Sequence, residues 1–120
     1  MATRRADPFV EHLLELMALL AAQVGPLTAK GMFGGHGLFY DGLMFAIVTR
    51  GQCYLKVDDA TLPRFTEAGS EPFTYGTRKG ERTARSYFSL PPDCLESAAA
   101  MTTWARLAIE ASLRGANKRR

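Results

Sequence analysis

Apolar residues recur at helical spacing from Phe9 through Leu13, Leu16 and Leu20 to Val24, while Glu11, Glu15, Ala18 and Ala22 fall on another face. Asp7 before Pro8 suits a helix start, since the carboxylate accepts a bond from a first-turn amide and Pro8 has no amide to satisfy. With Gly25-Pro26 as the stop, the pattern predicts an amphipathic helix of roughly four to five turns, shaped to lie on a sheet. Between Lys30 and Val57 the segments shorten and become aromatic and β-branched, predicting strands at Met32 to Tyr40, Leu43 to Thr49 and Gln52 to Val57. Asp41-Gly42 and Arg50-Gly51 supply the turns.

Asp58-Asp59 offers a second N-cap, Leu62, Phe65 and Ala68 mark an apolar edge, and Gly69 is the expected terminator. Pro63 is tolerable because it falls in the first turn. Two further strands are predicted at Pro72 to Tyr75 and Arg82 to Leu90, joined by the charged loop Thr77 to Glu81 and stopped by Pro91-Pro92. Ser97 caps a last helix whose Met101, Trp104, Ala108 and Ala111 share a face, ending near Gly115. The order α-β-β-β-α-β-β-α implies an α+β fold. A two-layer α/β sandwich is expected, with a mainly antiparallel sheet and the helices on one face.

At 120 residues the chain is one domain, and with 47% apolar and 22% charged residues it can bury a core without staples. The formal charge of +3 is carried by the ends: without Arg4, Arg5, Arg114, Lys118, Arg119 and Arg120, 9 basic residues face 12 acidic ones. The expected division is a basic tail over 1–6, a domain over 7–114 and a basic tail over 115–120. A basic nucleic-acid face over the body is therefore not implied by the charge. Cys53 and Cys94 are the only cysteines, and Glu11, His12 and Glu15 interrupt any signal-type apolar run. These features predict a cytoplasmic protein with reduced thiols, and no apolar stretch approaches the ~18 residues of a membrane span.

Candidate chemistry concentrates in Gly31-Met32-Phe33-Gly34-Gly35-His36-Gly37. A phosphate cradle needs a helix N-terminus directly after the glycines, whereas Leu38-Phe39-Tyr40 reads as a strand, so a bulge or tight bend is expected. His12 and His36 stand on different elements and neither cysteine lies near another ligand type, so no metal or cofactor is expected. Lys56 beside Asp58 and Asp59 admits an acid–base pair, but capping by an aspartate explains the aspartates with less. Arg78, Lys79, Arg82 and Arg85, with Glu81, form the one basic cluster of the body, and no aromatic residue is interleaved with the charges.

The string Lys30 to Ala46, followed by Tyr54-Leu55-Lys56-Val57-Asp58-Asp59, Phe65, Ala68-Gly69, Pro72-Phe73 and Tyr75, resembles the N-terminal domain of the TfoX/Sxy family. Ser86-Tyr87-Phe88, Pro91, Cys94-Leu95 and Trp104-Ala105 extend the resemblance to about residues 9–113. Arg85-Ser86-Tyr87-Phe88 departs from the Met and two tyrosines common there in the family. The chain also stops near the last helix, so the second, C-terminal domain of longer members is not expected in it.

The resemblance implies a secretion-chaperone-like sandwich without catalytic or cofactor residues. It also implies a regulator of natural competence acting with a transcription factor of the cyclic AMP receptor protein type. The expected role is a non-enzymatic regulatory domain working by protein contacts, with homodimerisation a further expectation. Its docking surface is expected on a sheet face or edge, with Gly34, Gly35, Tyr40 and Asp41 near one end and Arg78, Lys79, Arg82 and Arg85 at another, and Lys56 and Asp58 included. Direct nucleic-acid binding through the tails and the 78–85 loop is the first alternative; a small-molecule or enzymatic role at the glycine-rich turn is the second.

Overall fold

A computed structural model describes residues 7–118 except Phe33; the remaining parts of the two expected basic tails, 1–6 and 119–120, lie outside the described residues. Asp7 accepts bonds from the amides of Phe9 and Val10 and starts α1 (Pro8–Leu16). Helix α2 (Ala18–Val24) follows after Met17, whose amide is shared between the carbonyls of Leu13 and Leu14. The expected single helix is thus two segments around one tightened turn. Its inner face consists of Val10, Leu13, Met17 and Leu20, with Phe9, Leu16 and Val24 on the flank.

Six strands form one antiparallel sheet: β1 (Leu27–Met32), β2 (Gly35–Tyr40), β3 (Leu43–Thr49), β4 (Gln52–Lys56), β5 (Pro72–Thr77) and β6 (Gly80–Ser89), in the spatial order β1-β2-β3-β4-β6-β5. The stretch expected to be one strand from Met32 to Tyr40 begins later, and Met32 belongs instead to the added strand β1, paired back onto Gly35. The sequence hides β1 because Thr28-Ala29-Lys30-Gly31 is polar or small and exposed at the sheet edge, so it carries no alternation of apolar residues. Asp41 (φ 51°) with Gly42 (φ 80°), and Arg50 (φ 53°) with Gly51 (φ 73°), make the two expected tight turns with both central residues left-handed.

The inward row of the sheet is Leu38, Ala46, Leu55 and Phe88, aligned across β2, β3, β4 and β6 and all buried. One register step over, Gly37, Ile47, Tyr54 and Ser89 face the opposite side. Phe45 is the extra residue of a bulge between Leu38↔Ala46 and Phe39↔Met44, which is why two consecutive side chains, Phe45 and Ala46, are both fully buried. At the same bulge the Met44 carbonyl accepts a bond from the buried Ser112 hydroxyl at 3.1 Å, tying the sheet to the last helix.

That helix, α4 (Ala98–Lys118), is capped by Ser97 and follows a short 3₁₀ turn over Pro92–Leu95. It packs on β3 and β4 through Met101, Ala105, Ala108 and Ala111, whose small side chains permit close approach. It runs past the expected end near Gly115, so 115–118, read from sequence as tail, are helical. Arg106 on α4 donates to Gln23 on α2, joining the two helical segments of the layer. Helix α3 (Leu62–Glu67) carries the fully buried Phe65, whose ring meets Trp104 edge-on at 4.9 Å, with the Arg64 guanidinium 5.7 Å from the Trp104 ring centre. The helices therefore cover one face of the sheet, as expected, and leave the other uncovered.

Candidate functional site

The glycine run is explained by backbone geometry. Gly34 has φ 79° between β1 and β2, and Gly35 lies so close to β3 that a Cβ there would stand 2.3 Å from the Val48 carbonyl oxygen. A Cβ at Gly37 would meet the Met44 sulfur at 2.8 Å and the Phe39 ring. A strand follows the glycines directly, as expected.

Gly34 and Gly35 sit at one end of β2, whereas Tyr40 and Asp41 sit at the other. The expected grouping of these four near one end is therefore corrected: a strand of six residues separates them, because each pair belongs to a different turn. Tyr40 packs against the core, its ring beside Gly25, and Asp41 serves its turn.

Asp58 is engaged by several partners. Its Oδ1 accepts from the amides of Ala60 and Thr61, and its carboxylate takes two bonds from Arg114, at 2.6 and 3.0 Å. The cap falls on the turn preceding α3, three residues before the helix N-cap position, which Thr61 occupies. The Arg114 bond, the burial opposing it only in part, holds the Asp58 carboxyl below the usual carboxylate range. Arg114 thus belongs structurally to the folded domain. Lys56 is directed away from this cluster, its Nζ 5.1 Å from the centre of the Tyr87 ring, its partner across the β4–β6 ladder.

Both cysteines are buried, and burial pushes each thiol up to about 12. At neutral pH they are packing residues in the thiol form. Among the described residues no three His, Cys, Asp or Glu gather at a metal-binding distance, and no helix is long and apolar enough to cross a membrane.

The sheet face away from the helices is grooved. A groove of about 860 Å³ crosses it from Met32 and His36, over Ile47 and Tyr54, to Phe73 and Tyr75 on β5. A smaller cleft of about 180 Å³ lies on the other side of Gly35 and His36, against Asp7 and Phe9 at the start of α1. Along the groove Tyr54 and Phe73 have ring centres 4.7 Å apart, and Phe73 stacks with Tyr75 at 5.7 Å and 24°.

This arrangement corrects the reading that no aromatic residues accompany the basic cluster. The β5–β6 register sets Tyr75 opposite Arg82 and Phe73 opposite Ala84, so aromatics seven to eleven residues upstream become neighbours of the charges. Only strand pairing reveals this, because the rings and the cations lie on different strands. Arg78 and Lys79 occupy the turn itself, where Thr77 Oγ1 donates to the Gly80 carbonyl at 2.6 Å.

Strand β6 changes partners along its length. Tyr87, Phe88 and Ser89 pair with β4, while Gly80 to Ala84 pair with β5 alone. Between them Arg85, Ser86 and Tyr87 have no β5 partner, and all ten residues from Thr74 to Thr83 are exposed. The distal hairpin is therefore a two-stranded arm that extends past the four other strands.

The class of protein is thus an α+β domain with one sheet face covered by helices and the other grooved and flanked by a basic arm. The comparisons agree on its kinship. The family model of the TfoX N-terminal domain matches residues 18–112, and the chain belongs to that family. It is 32% identical over 88 residues to the DNA transformation protein TfoX of Haemophilus influenzae, covering 72% of this chain and 41% of that protein. It is also 32% identical over 81 residues to the DNA transformation protein TfoX1 of Aliivibrio fischeri, covering 68% of this chain and 38% of that one. The chain thus spans about two fifths of the length of these curated relatives.

Proposed function

We propose that this chain is a non-enzymatic regulatory domain of competence-type transcription control that works by docking a protein partner in the cytoplasm. Membership of the TfoX N-terminal domain family across residues 18–112 is the observation that carries this reading. The relatives are named for DNA transformation, and the partner proposed is a transcription factor of the cyclic AMP receptor protein type. The surface that suits such docking is the outer edge of β1, which pairs with β2 on one side only and keeps Thr28 to Gly31 exposed. A partner strand added there would be held by main-chain hydrogen bonds. A second copy of the chain would use the same edge, which is the form a homodimer takes in this reading.

The test is fluorescence anisotropy of a labelled promoter duplex, titrated with this protein with and without the receptor at two salt concentrations. Tightening that requires the receptor is the expected result. Equal duplex binding in its absence, or no response in either arm, rejects the coactivator role.

A further inference from the structure

We infer that the grooved sheet face and the β5–β6 arm together form a binding site for single-stranded nucleic acid, independent of the protein-docking edge on β1. Two chemistries meet there. The first is a row of three rings, Tyr54, Phe73 and Tyr75, with successive centres 4.7 and 5.7 Å apart, ending on a Tyr75 that is 46% exposed. The second is a cluster of four cations, Arg78, Lys79, Arg82 and Arg85, against one carboxylate, Glu81, within the hairpin. Among the described residues the one ion pair is Arg114 with Asp58, so none of the four cations of the arm is held in an ion pair, and Glu81 is the carboxylate of the same hairpin. They stand out on a body that is otherwise net acidic.

A ligand that satisfies both features must be anionic along its length and carry flat apolar faces at intervals. An acidic peptide meets the cations and leaves the rings bare. A duplex meets the cations too, but its base faces are already stacked on one another. Unpaired nucleotides offer phosphates to the arm and free base faces to the exposed Tyr75 that ends the row, the combination used by proteins that hold single strands. The geometry of the groove agrees: it runs across β2, β3 and β4 to β5, so a strand can lie across the sheet with its bases toward Ile47, Tyr54 and Phe73. His36 and Arg50 stand at the far wall, and Glu81 is the one charged residue of the arm in the lining, so the four cations flank the groove rather than line it. The structure also shows an otherwise costly feature that the site accounts for. Ten consecutive exposed residues are kept as an uncovered two-stranded ribbon, which contributes no buried core.

The experiment is an anisotropy titration of the whole chain against a labelled oligothymidylate of about 12 nucleotides and a duplex of about the same length. The inference requires tighter binding to the single strand than to the duplex. Tyr75→Ala should weaken single-strand binding about tenfold, Tyr75→Trp should preserve it, and neither should alter duplex binding comparably. Arg78→Ala with Lys79→Ala should lower the salt slope by about 1.4, on the basis of roughly 0.7 for each phosphate no longer neutralised. Because Tyr75, Arg78 and Lys79 are exposed, folding is checked independently by Trp104 fluorescence and circular dichroism.

Preference for the duplex, indifference to Tyr75→Ala in a folded variant, or absence of binding at low salt would each overturn the inference. Displacement of the oligonucleotide by polyglutamate at equal charge concentration would overturn it as well, assigning the arm to an acidic protein. Of these results only duplex binding without the receptor also bears on the receptor-dependent titration; indifference to Tyr75→Ala, absence of binding and displacement by polyglutamate leave that reading standing, so the two can fail separately.

Discussion

The centre of the sheet and its β5 end are built to different specifications. Around β3 the strand is paired on both sides, covered by α4 and bulged at Phe45 so that two successive side chains enter the core. Along the distal β5–β6 hairpin each strand has one partner, no helix covers it, and Thr74 to Thr83 are exposed. Both are antiparallel ladders interrupted by one register shift. The difference lies in burial, which contributes about 25 cal/mol per Å² of apolar surface and makes stability a local property of the first region. The ordered arm owes its position to the rest of the domain, and its side chains are free to serve a ligand.

Substitutions test that contrast, and the deepest should cost most. Phe45→Ala removes a fully buried ring and should lower unfolding free energy by about 3–5 kcal/mol, read from urea denaturation followed by Trp104 fluorescence. A loss below about 1 kcal/mol would mean that the bulged region is not the centre of the core.

Gly35→Ala comes next, at about 1–3 kcal/mol, because its new methyl would meet the Val48 carbonyl oxygen and force β2 away from β3. Thermal melts that leave this variant unchanged would show that the glycine run answers to something other than close packing.

Asp58→Asn retains a side chain able to cap the turn but removes the charge facing Arg114. Because Arg114 is 41% exposed, the loss at neutral pH should stay under about 1 kcal/mol. The pH dependence is the sharper readout. The folded-state pKa of Asp58 is lowered, so its stabilising contribution is present above the ordinary carboxylate range and disappears as pH falls through the folded value. Wild type should therefore lose its margin over Asp58→Asn between about pH 5 and pH 2 in acid titrations of stability. A constant margin across that window would mean that the ion pair contributes nothing.

The smallest effect is expected on the arm. Tyr75→Ala, or Arg78→Ala with Lys79→Ala, should change stability by no more than about 0.5 kcal/mol. Amide hydrogen exchange should show the matching pattern, with Tyr75 to Arg82 exchanging far faster than Phe45 to Val48. A large destabilisation from Tyr75→Ala would erase the contrast and return the aromatic row to a structural role.

Much of the fold was legible from local pattern. The α+β class, the turns at Asp41-Gly42 and Arg50-Gly51, the caps at Asp7 and Ser97 and the last helix follow from residue periodicity and from side chains that act within a few residues of themselves. Three features were not legible. β1 is an exposed edge strand and lacks apolar alternation; the break at Met17 falls inside an unbroken apolar repeat; and the reach of α4 past Gly115 runs through a glycine that usually ends a helix.

The candidate site divides in the same way. The sequence identified the basic residues of the arm, because charge is visible in a string. It misplaced Tyr40 and Asp41 beside Gly34 and Gly35, because nearness in sequence along an extended strand of about 3.3 Å per residue is distance in space. It also missed Arg114 as the partner of Asp58, 56 residues away.

By itself, then, the sequence determined most of the helices, strands and turns, with β1, the break at Met17 and the reach of α4 excepted, and where positive charge accumulates, since each is a short-range consequence of side-chain chemistry. Only the tertiary structure decided that Tyr75 stands across from Arg82, that Phe73 stacks on Tyr54, and that one sheet face stays open beside an uncovered arm. Those are matters of strand register and layer placement, set by long-range pairing whose free energy is spread over the whole sheet and is written in no single stretch of the chain.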